Sequence, residues 1–202
     1  MHYILLTAIA ILLWSSLALL VAQLSHIPAF LLLGSSLLIG GSLSLFHWRQ
    51  WQFNLRLLFI GVGGIFGYHF LLFMALRIAP PVSANLLNYL WPIFILLFTP
   101  LVFPEINIRK RHVLGALIAF TGAITILLQS GLALSLEHSL GYLLAILAAL
   151  TWATYSLLSK KVASFSSATI GLFCLISGVL ALIAHGMFER EATLALDDSW
   201  KI

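Results

Sequence analysis

The stretch from Met1 to Trp48 contains no lysine, arginine, aspartate or glutamate. Charged residues make up 8% of the whole sequence and hydrophobic residues 62%, and the mean hydropathy is +1.11. Because about a quarter of the residues in a soluble domain are charged, this composition is typical of a membrane protein. A helix that crosses the hydrocarbon core needs about 20 apolar residues. The sequence therefore predicts a polytopic membrane protein with no length left for a soluble domain.

Seven apolar blocks of span length predict about seven transmembrane helices. The breaks between them hold proline pairs, charged clusters or short polar loops, such as Pro80-Pro81 and Lys160-Lys161. Loops this short place consecutive helices antiparallel, which predicts an all-α membrane helix bundle. The predicted helices cover residues 3–22, 28–47, 55–76, 82–103, 113–128, 139–158 and 167–187.

The basic residues predict the orientation of the bundle. With a cytoplasmic N-terminus, Arg77, Arg190 and Lys201 lie on the external side, and the other Lys and Arg residues lie in cytoplasmic loops. This asymmetry follows the positive-inside rule. The net charge of +4 is therefore explained by loop anchoring, and no basic surface of domain size predicts a nucleic-acid partner. The cytoplasmic cations would be Arg49, Arg56, Arg109, Lys110, Arg111, Lys160 and Lys161.

An internal repeat is visible when the chain is shifted along itself by 138 positions. Trp14 then aligns with Trp152, Gly40 with Gly178 and His47 with His185. Five spans separate the paired helices, and because that number is odd the two copies would have opposite orientations in the membrane. Such an arrangement is typical of secondary transporters. The sequence thus predicts a five-helix repeat over residues 1–130, followed by a partial inverted repeat over residues 139–202 with two helices and a polar tail.

The fourth span carries a polar stripe. Asn85, Asn88, Tyr89 and Pro92 follow the spacing i, i+3, i+4 and i+7, which places them on one helix face. Pro92 cannot donate to the carbonyl of Asn88. Polar groups that face lipid without a hydrogen-bond partner cost free energy, so we expect the groups on this stripe to face another helix or a wet cavity.

The run Asn88-Tyr89-Leu90-Trp91-Pro92 resembles the EamA-type permeases of the drug/metabolite transporter superfamily, and is most similar to the bacterial aromatic amino-acid exporter branch. The likeness extends over essentially the whole chain, through Ala75-Leu76-Arg77, Glu105, Gly115-Ala116-Leu117, Gly122, Gly141-Tyr142 and Thr151-Trp152-Ala153.

The resemblance implies ten helices in two inverted five-helix repeats, and export of small metabolites across the bacterial inner membrane. On this basis the chain looks truncated before the eighth helix. Ser83 departs from the exporter branch, which often has a glutamate there. Proton coupling through this position is therefore not expected.

Several residues are candidates for the wall of a substrate path, and each has an alternative role in packing. Mid-span tryptophans could stack a flat substrate or fill the bundle. His69 could carry a proton or be a neutral packing residue. Gly63 and Gly67 have a GxxxG spacing, for which close helix packing is the default interpretation. The candidates for the path are Trp14, His69, Asn85, Asn88, Tyr89, Trp91, Pro92, Trp152 and Tyr155.

The function that the sequence favours is a permease that exports amino acids or similar small metabolites by alternating access. The alternative is a truncated, transport-inactive membrane fragment or one half of an oligomeric assembly. An enzyme is not expected, because no carboxylate lies inside a predicted span and no nucleophile has a histidine at helical spacing. No histidines share metal-ligand spacing, so neither a metal nor a cofactor is predicted. The expected partners are a small-molecule substrate, membrane lipid and, as an open question, further copies of the chain.

Overall fold

The computed structural model describes residues 4–9, 12–13, 24, 26–129, 136–162 and 165–189. The regular structure in these ranges is helical and contains no β-strand, which confirms the predicted all-α fold. Residues 4–9 and 12–13 are helical and belong to the predicted first span. The helices that follow are α1 (Ala29–Ser42), α2 (Leu55–Ile78), α3 (Pro81–Asn88), α4 (Trp91–Val102), α5 (Lys110–Gln129), α6 (Ser139–Lys161) and α7 (Ser167–Phe188), with 3₁₀ segments at Leu43–Gln50 and Leu136–His138.

Five helical stretches within the described residues are long and apolar enough to cross a membrane. Three of them are longer than a single α-helix, because they join α1 or α6 to a 3₁₀ segment or join α3 to α4. These stretches are Ala29–Gln50, Leu55–Ile78, Pro81–Val102, Leu136–Lys161 and Ser167–Phe188.

Local sequence explains where several helices begin. The Asn54 side chain accepts hydrogen bonds from the backbone N–H groups of Arg56 and Leu57 at the start of α2. The Ser166 hydroxyl accepts one from the backbone of Ala168 at the start of α7. Both side chains satisfy N–H groups that have no partner within the helix. Pro81 opens α3, where its missing N–H would be unpaired in any residue.

The fourth span differs from the prediction, because the helix expected over residues 82–103 is two helices. α3 ends at Asn88, Tyr89 and Leu90 form a turn, and α4 starts at Trp91. Pro92 lies in the first turn of α4 and has no N–H with which to continue a helix from Asn88. The second span also contains two kinds of helix, because the α-helix α1 ends at Ser42 and a 3₁₀ helix follows from Leu43.

Helix packing is most extensive between α1 and α7 and between α2 and α6, while α3 and α4 also lie against α6 and α2 lies against α7. In α2 the glycines at these contacts are Gly61, against the ring of Phe173 on α7, and Gly64, against Tyr155 on α6. Among the described residues, no atom lies within contact distance of a Cβ at Gly63. A Cβ at Gly67 would lie 3.7 Å from Thr151 of α6, so close packing by Gly63 and Gly67 stays a prediction, while within the described part of the chain Gly64 makes the closer contact.

Candidate functional site

Tyr68, near the middle of α2, joins three helices. Its hydroxyl oxygen accepts a hydrogen bond of 3.1 Å from Nδ2 of Asn88 on α3. Its ring centroid lies 4.9 Å from that of Trp152 on α6, with the two planes tilted by 46°. Tyr68 is not among the predicted path residues. A phenol in the interior of a span, beside a histidine, could have indicated that it belongs to the site.

Trp152 and Tyr155 continue the aromatic surface along α6. Their ring centroids are 5.5 Å apart, and both side chains are half-buried. Tyr155 packs against Gly64 of α2, where an added Cβ would lie 2.3 Å from Cγ and Cδ2 of the ring. Only glycine at position 64 leaves space for this ring. The structure thus brings the predicted candidates Trp152 and Tyr155 together beside Tyr68.

His69 is held by its own helix. Its Nδ1 lies 2.7 Å from the carbonyl oxygen of Ile65, and since a carbonyl only accepts, Nδ1 carries the hydrogen. The ring stands edge-on to Tyr68 with centroids 4.9 Å apart. In a neutral ring, this tautomer leaves Nε2 as an acceptor. The hydrogen bond to the helix backbone accounts for how a polar ring is accommodated inside a span.

Asn88 is the one member of the predicted stripe that the structure buries. It is 4% exposed, and its Oδ1 has no hydrogen-bond partner within the described part of the chain. Asn85, Tyr89 and Pro92 are exposed, and Trp91 is half-buried. The predicted stripe is interrupted, because Asn85 and Asn88 lie on α3 whereas Tyr89 and Pro92 lie beyond its end. Trp14 lies outside the described residues.

Ser83, one turn before Leu87 on α3, is fully buried. Its hydroxyl has no hydrogen-bond partner among the residues that the structure describes. The position at which the resemblance implied a glutamate is thus enclosed by protein in this chain. A buried hydroxyl is neutral, so Ser83 adds no charge near the Tyr68–Asn88 pair.

A cavity of about 440 Å³ lies between α1 and α2. Tyr68 and His69 lie on its wall near one end, and Arg77 lies on its wall near the other. The remainder of the wall is mainly apolar, with Leu32, Leu33 and Ser36 from α1 and Leu72, Phe73 and Leu76 from α2. Its volume and its few polar groups are typical of small-molecule sites.

Within the described ranges, no group of three histidine, cysteine, aspartate or glutamate side chains could hold a metal ion. The site is instead built from phenols, an amide, an imidazole and an indole. These groups can stack on a flat molecule and exchange hydrogen bonds with its polar atoms.

The sequence of residues 1–128 matches the family model described as the EamA-like transporter family. The chain belongs to the EamA-like transporter family. This confirms the resemblance inferred from the fourth-span motif, and it makes the chain a multi-pass membrane protein of the EamA type.

Two curated relatives and one solved structure are similar to this EamA-family chain. The aromatic amino acid exporter YddG of Ancylobacter novellus is 36% identical over 189 residues, which are 89% of this chain and 66% of the relative. The uncharacterized transporter YyaM of Bacillus subtilis is 26% identical over 135 residues, 65% of this chain and 44% of the relative. A crystal structure of a protein that is 36% identical has a TM-score of 0.83 to this chain. The match covers 90% of this chain and 65% of the chain in that structure. The chain thus spans less than two thirds of the length of each.

Proposed function

We propose that this EamA-family chain is a secondary permease that exports amino acids or similar small metabolites by alternating access. The observation that carries the proposal is the hydrogen bond between Tyr68 and Asn88. It joins α2 to the end of α3, at a break within a membrane span. Discontinuous spans with polar groups at the break are typical of substrate sites in secondary transporters.

The aromatic surface supports a substrate with a flat apolar part. Tyr68, Trp152 and Tyr155 present neighbouring rings from α2 and α6, and such rings stack favourably on other aromatic groups. The Oδ1 of Asn88 is a buried acceptor that an N–H or O–H of a substrate would satisfy. The name of the exporter from Ancylobacter novellus points to the same class of substrate.

The packing of α1 on α7 supports the two-repeat organisation, with residues 1–130 as one repeat and 139–202 as part of the other. A Cβ at Gly34 would lie 3.1 Å from the carbonyl oxygen of Gly178, and one at Gly41 would lie 2.9 Å from that of Gly171. In both antiparallel pairs the two residue numbers add up to 212. An antiparallel contact between the second helix of each proposed repeat is the contact that an inverted arrangement predicts.

The proposed location is the bacterial inner membrane, with the N-terminus in the cytoplasm. The positive-inside rule supports this orientation, because the clusters at Arg109–Arg111 and Lys160-Lys161 then lie in the cytoplasm. Tyr68, Asn88 and Trp152 lie within the spans, and a substrate would reach them from each side of the membrane in turn.

An efflux assay in a host that lacks related exporters tests the proposal. Cells would be loaded with a panel of amino acids and dipeptides, and the release of each compound measured with and without the chain. We expect Asn88→Leu to abolish export while the protein still inserts, because the substitution removes both the donor to Tyr68 and the buried acceptor.

Gln52→Leu is the control, since it replaces an amide by leucine at an exposed position outside the spans and outside the candidate path. We expect this variant to retain most of the export activity. Full export by an inserted Asn88→Leu protein would show that Asn88 is a packing residue and would remove the main support for the proposed path.

A further inference from the structure

The ends of α1, α2 and α7 meet at a buried carboxylate. Glu189, immediately after α7, is 5% exposed, and it is the only carboxylate that is buried in the described part of the chain. Its Oε2 accepts hydrogen bonds from the backbone N–H of Phe30 at 3.0 Å and from Nδ1 of His185 at 2.9 Å. Because Pro28, at the cap position of α1, offers no capping side chain, Glu189 acts as the cap from another helix.

Arg77 approaches this carboxylate from α2. Its Nη1 donates a hydrogen bond of 3.1 Å to the carbonyl oxygen of Phe188 and lies 3.8 Å from Oε1 of Glu189. The distance to Glu189 is that of a loose ion pair, not of a hydrogen bond. Glu189 meanwhile binds the positive end of the α1 dipole and the ring of His185. Glu189 thus interacts with the start of α1, with His185 and with Arg77 at the same time. It therefore neutralises the positive charge of the Arg77 guanidinium only in part.

The side chain of Arg77 is 42% exposed and forms one end of the cavity between α1 and α2. Along α2, His69 and Arg77 are separated by about 12 Å at the rise of an α-helix. Between them the wall is apolar, with Leu72, Phe73 and Leu76 on α2. The cavity therefore has a cationic end with several N–H donors, an apolar middle and an end formed by His69 and Tyr68.

We propose that this cavity binds a small molecule through a carboxylate on Arg77, with the apolar body of the molecule beside Leu72, Phe73 and Leu76. The planar guanidinium presents five N–H donors, a geometry suited to binding a carboxylate through two of them. Phe188 and Glu189 hold the guanidinium from the α7 side and orient it. The inference rests on the proposed permease function, since it treats the cavity as part of the substrate path, and it assigns Arg77 a role beyond anchoring at the membrane surface.

Binding to the purified chain in detergent, measured by isothermal titration calorimetry, tests this assignment. The probes are phenylalanine, 3-phenylpropionate and phenylalaninol, of which the last has no carboxylate. We expect both carboxylates to bind about ten-fold or more tightly than phenylalaninol, because only a carboxylate accepts charge-assisted hydrogen bonds from the guanidinium. Equal affinity for phenylalanine and phenylalaninol, or no binding of either carboxylate, overturns the proposal.

Substitutions of Arg77 test whether this residue causes the preference for carboxylates. Arg77→Gln should reduce the affinity for phenylalanine to that for phenylalaninol, and Arg77→Lys should keep part of the preference because its charge remains while the planar fork is lost. Arg111→Gln, the same change at an exposed arginine in α5, should leave both affinities unchanged. A carboxylate preference that survives Arg77→Gln overturns the assignment. If Arg77→Gln does not fold, Arg77→Lys and the probe series on the unaltered chain still decide the outcome.

The result is distinguishable from a failure of the proposed permease function. A chain that prefers carboxylates through Arg77 but exports nothing from cells contradicts the permease and supports the binding site. A chain that exports amino acids but binds phenylalanine and phenylalaninol equally contradicts only the role of Arg77.

Discussion

The two main helix contacts of this bundle are built in different ways. Where α1 meets α7, glycine lies against glycine and the backbones approach closely, as between Gly41 and Gly171. Where α2 meets α6, a glycine lies under an aromatic ring, and Tyr68 links the pair to α3 by a hydrogen bond. Close backbone contact leaves no space for another molecule, whereas rings and polar groups can separate and bind one. The comparison indicates that α1–α7 is the scaffold, and under the proposed permease function α2–α6 supplies part of the surface that binds the substrate.

The largest effect is expected at the scaffold. Gly41→Leu would place a side chain where even a Cβ lies 2.9 Å from the backbone oxygen of Gly171, so the helices must separate. We expect a loss of about 3 kcal/mol in the free energy of unfolding, at the upper end of the usual cost of overpacking. Thermal unfolding in detergent measures it.

Gly40→Leu is the control for this substitution, because no described residue has an atom within contact distance of a Cβ at position 40. It should leave the unfolding temperature nearly unchanged. If Gly40→Leu and Gly41→Leu were equally harmful, the close contact between α1 and α7 would not be the stabilising feature, and the comparison between the two interfaces would fail.

A smaller effect on stability, combined with a large effect on transport, is expected at Gly64. Gly64→Ala would bring a methyl group 2.3 Å from Cγ and Cδ2 of Tyr155 and 2.6 Å from its Cβ, so the Tyr155 side chain must move from its base. We expect a cost of about 2 kcal/mol and a strong reduction in export in the efflux assay. Gly63→Ala, facing open space, should instead be neutral or slightly stabilising, since alanine is the better helix former. Similar export by the two variants would argue against a functional role for the Tyr155 ring.

The smallest effect on stability is expected from Tyr68→Phe, which removes one hydroxyl and leaves the ring contact with Trp152. Hydrogen bonds between membrane helices contribute roughly 0.6 kcal/mol on average, so unfolding should change by about that amount. Export should fall further, because Asn88 loses its partner. Tyr89→Phe makes the same chemical change at a side chain that is 55% exposed and should have no effect on either measurement. Unchanged export by Tyr68→Phe would contradict the central position given to this hydroxyl.

The comparison also shows which parts of the site could be predicted. Asn88 was expected near a path because an amide inside a span is costly to leave facing lipid, Trp152 because its ring could stack a flat substrate, and His69 because it could carry a proton. Asn85 and Tyr89 met the same criterion, but both are exposed, Asn85 within α3 and Tyr89 in the turn that follows its end at Asn88. Periodicity assumes a continuous helix, and it cannot show where a proline becomes the start of a new one.

Glu189 is a second case in which local sequence was insufficient. It lies beside Arg190 and Glu191, and such a run of charges was interpreted as a polar tail. In the structure its carboxylate is buried against the first turn of α1, 159 positions earlier in the chain. Only the packing of α1 along α7 brings these groups together.

The amino-acid sequence by itself determined that this protein lies in a membrane, that it is helical, and that it belongs with EamA-type transporters. These properties depend on composition, on the length of apolar blocks and on a local motif, all of which are present before the chain folds. The tertiary structure alone decided that Gly64, not Gly63, receives a ring, that Tyr68 joins three helices, and that Glu189 caps a distant one. Such pairings arise from the rotation and crossing of whole helices, and the periodicity of a single helix contains no information about its neighbours.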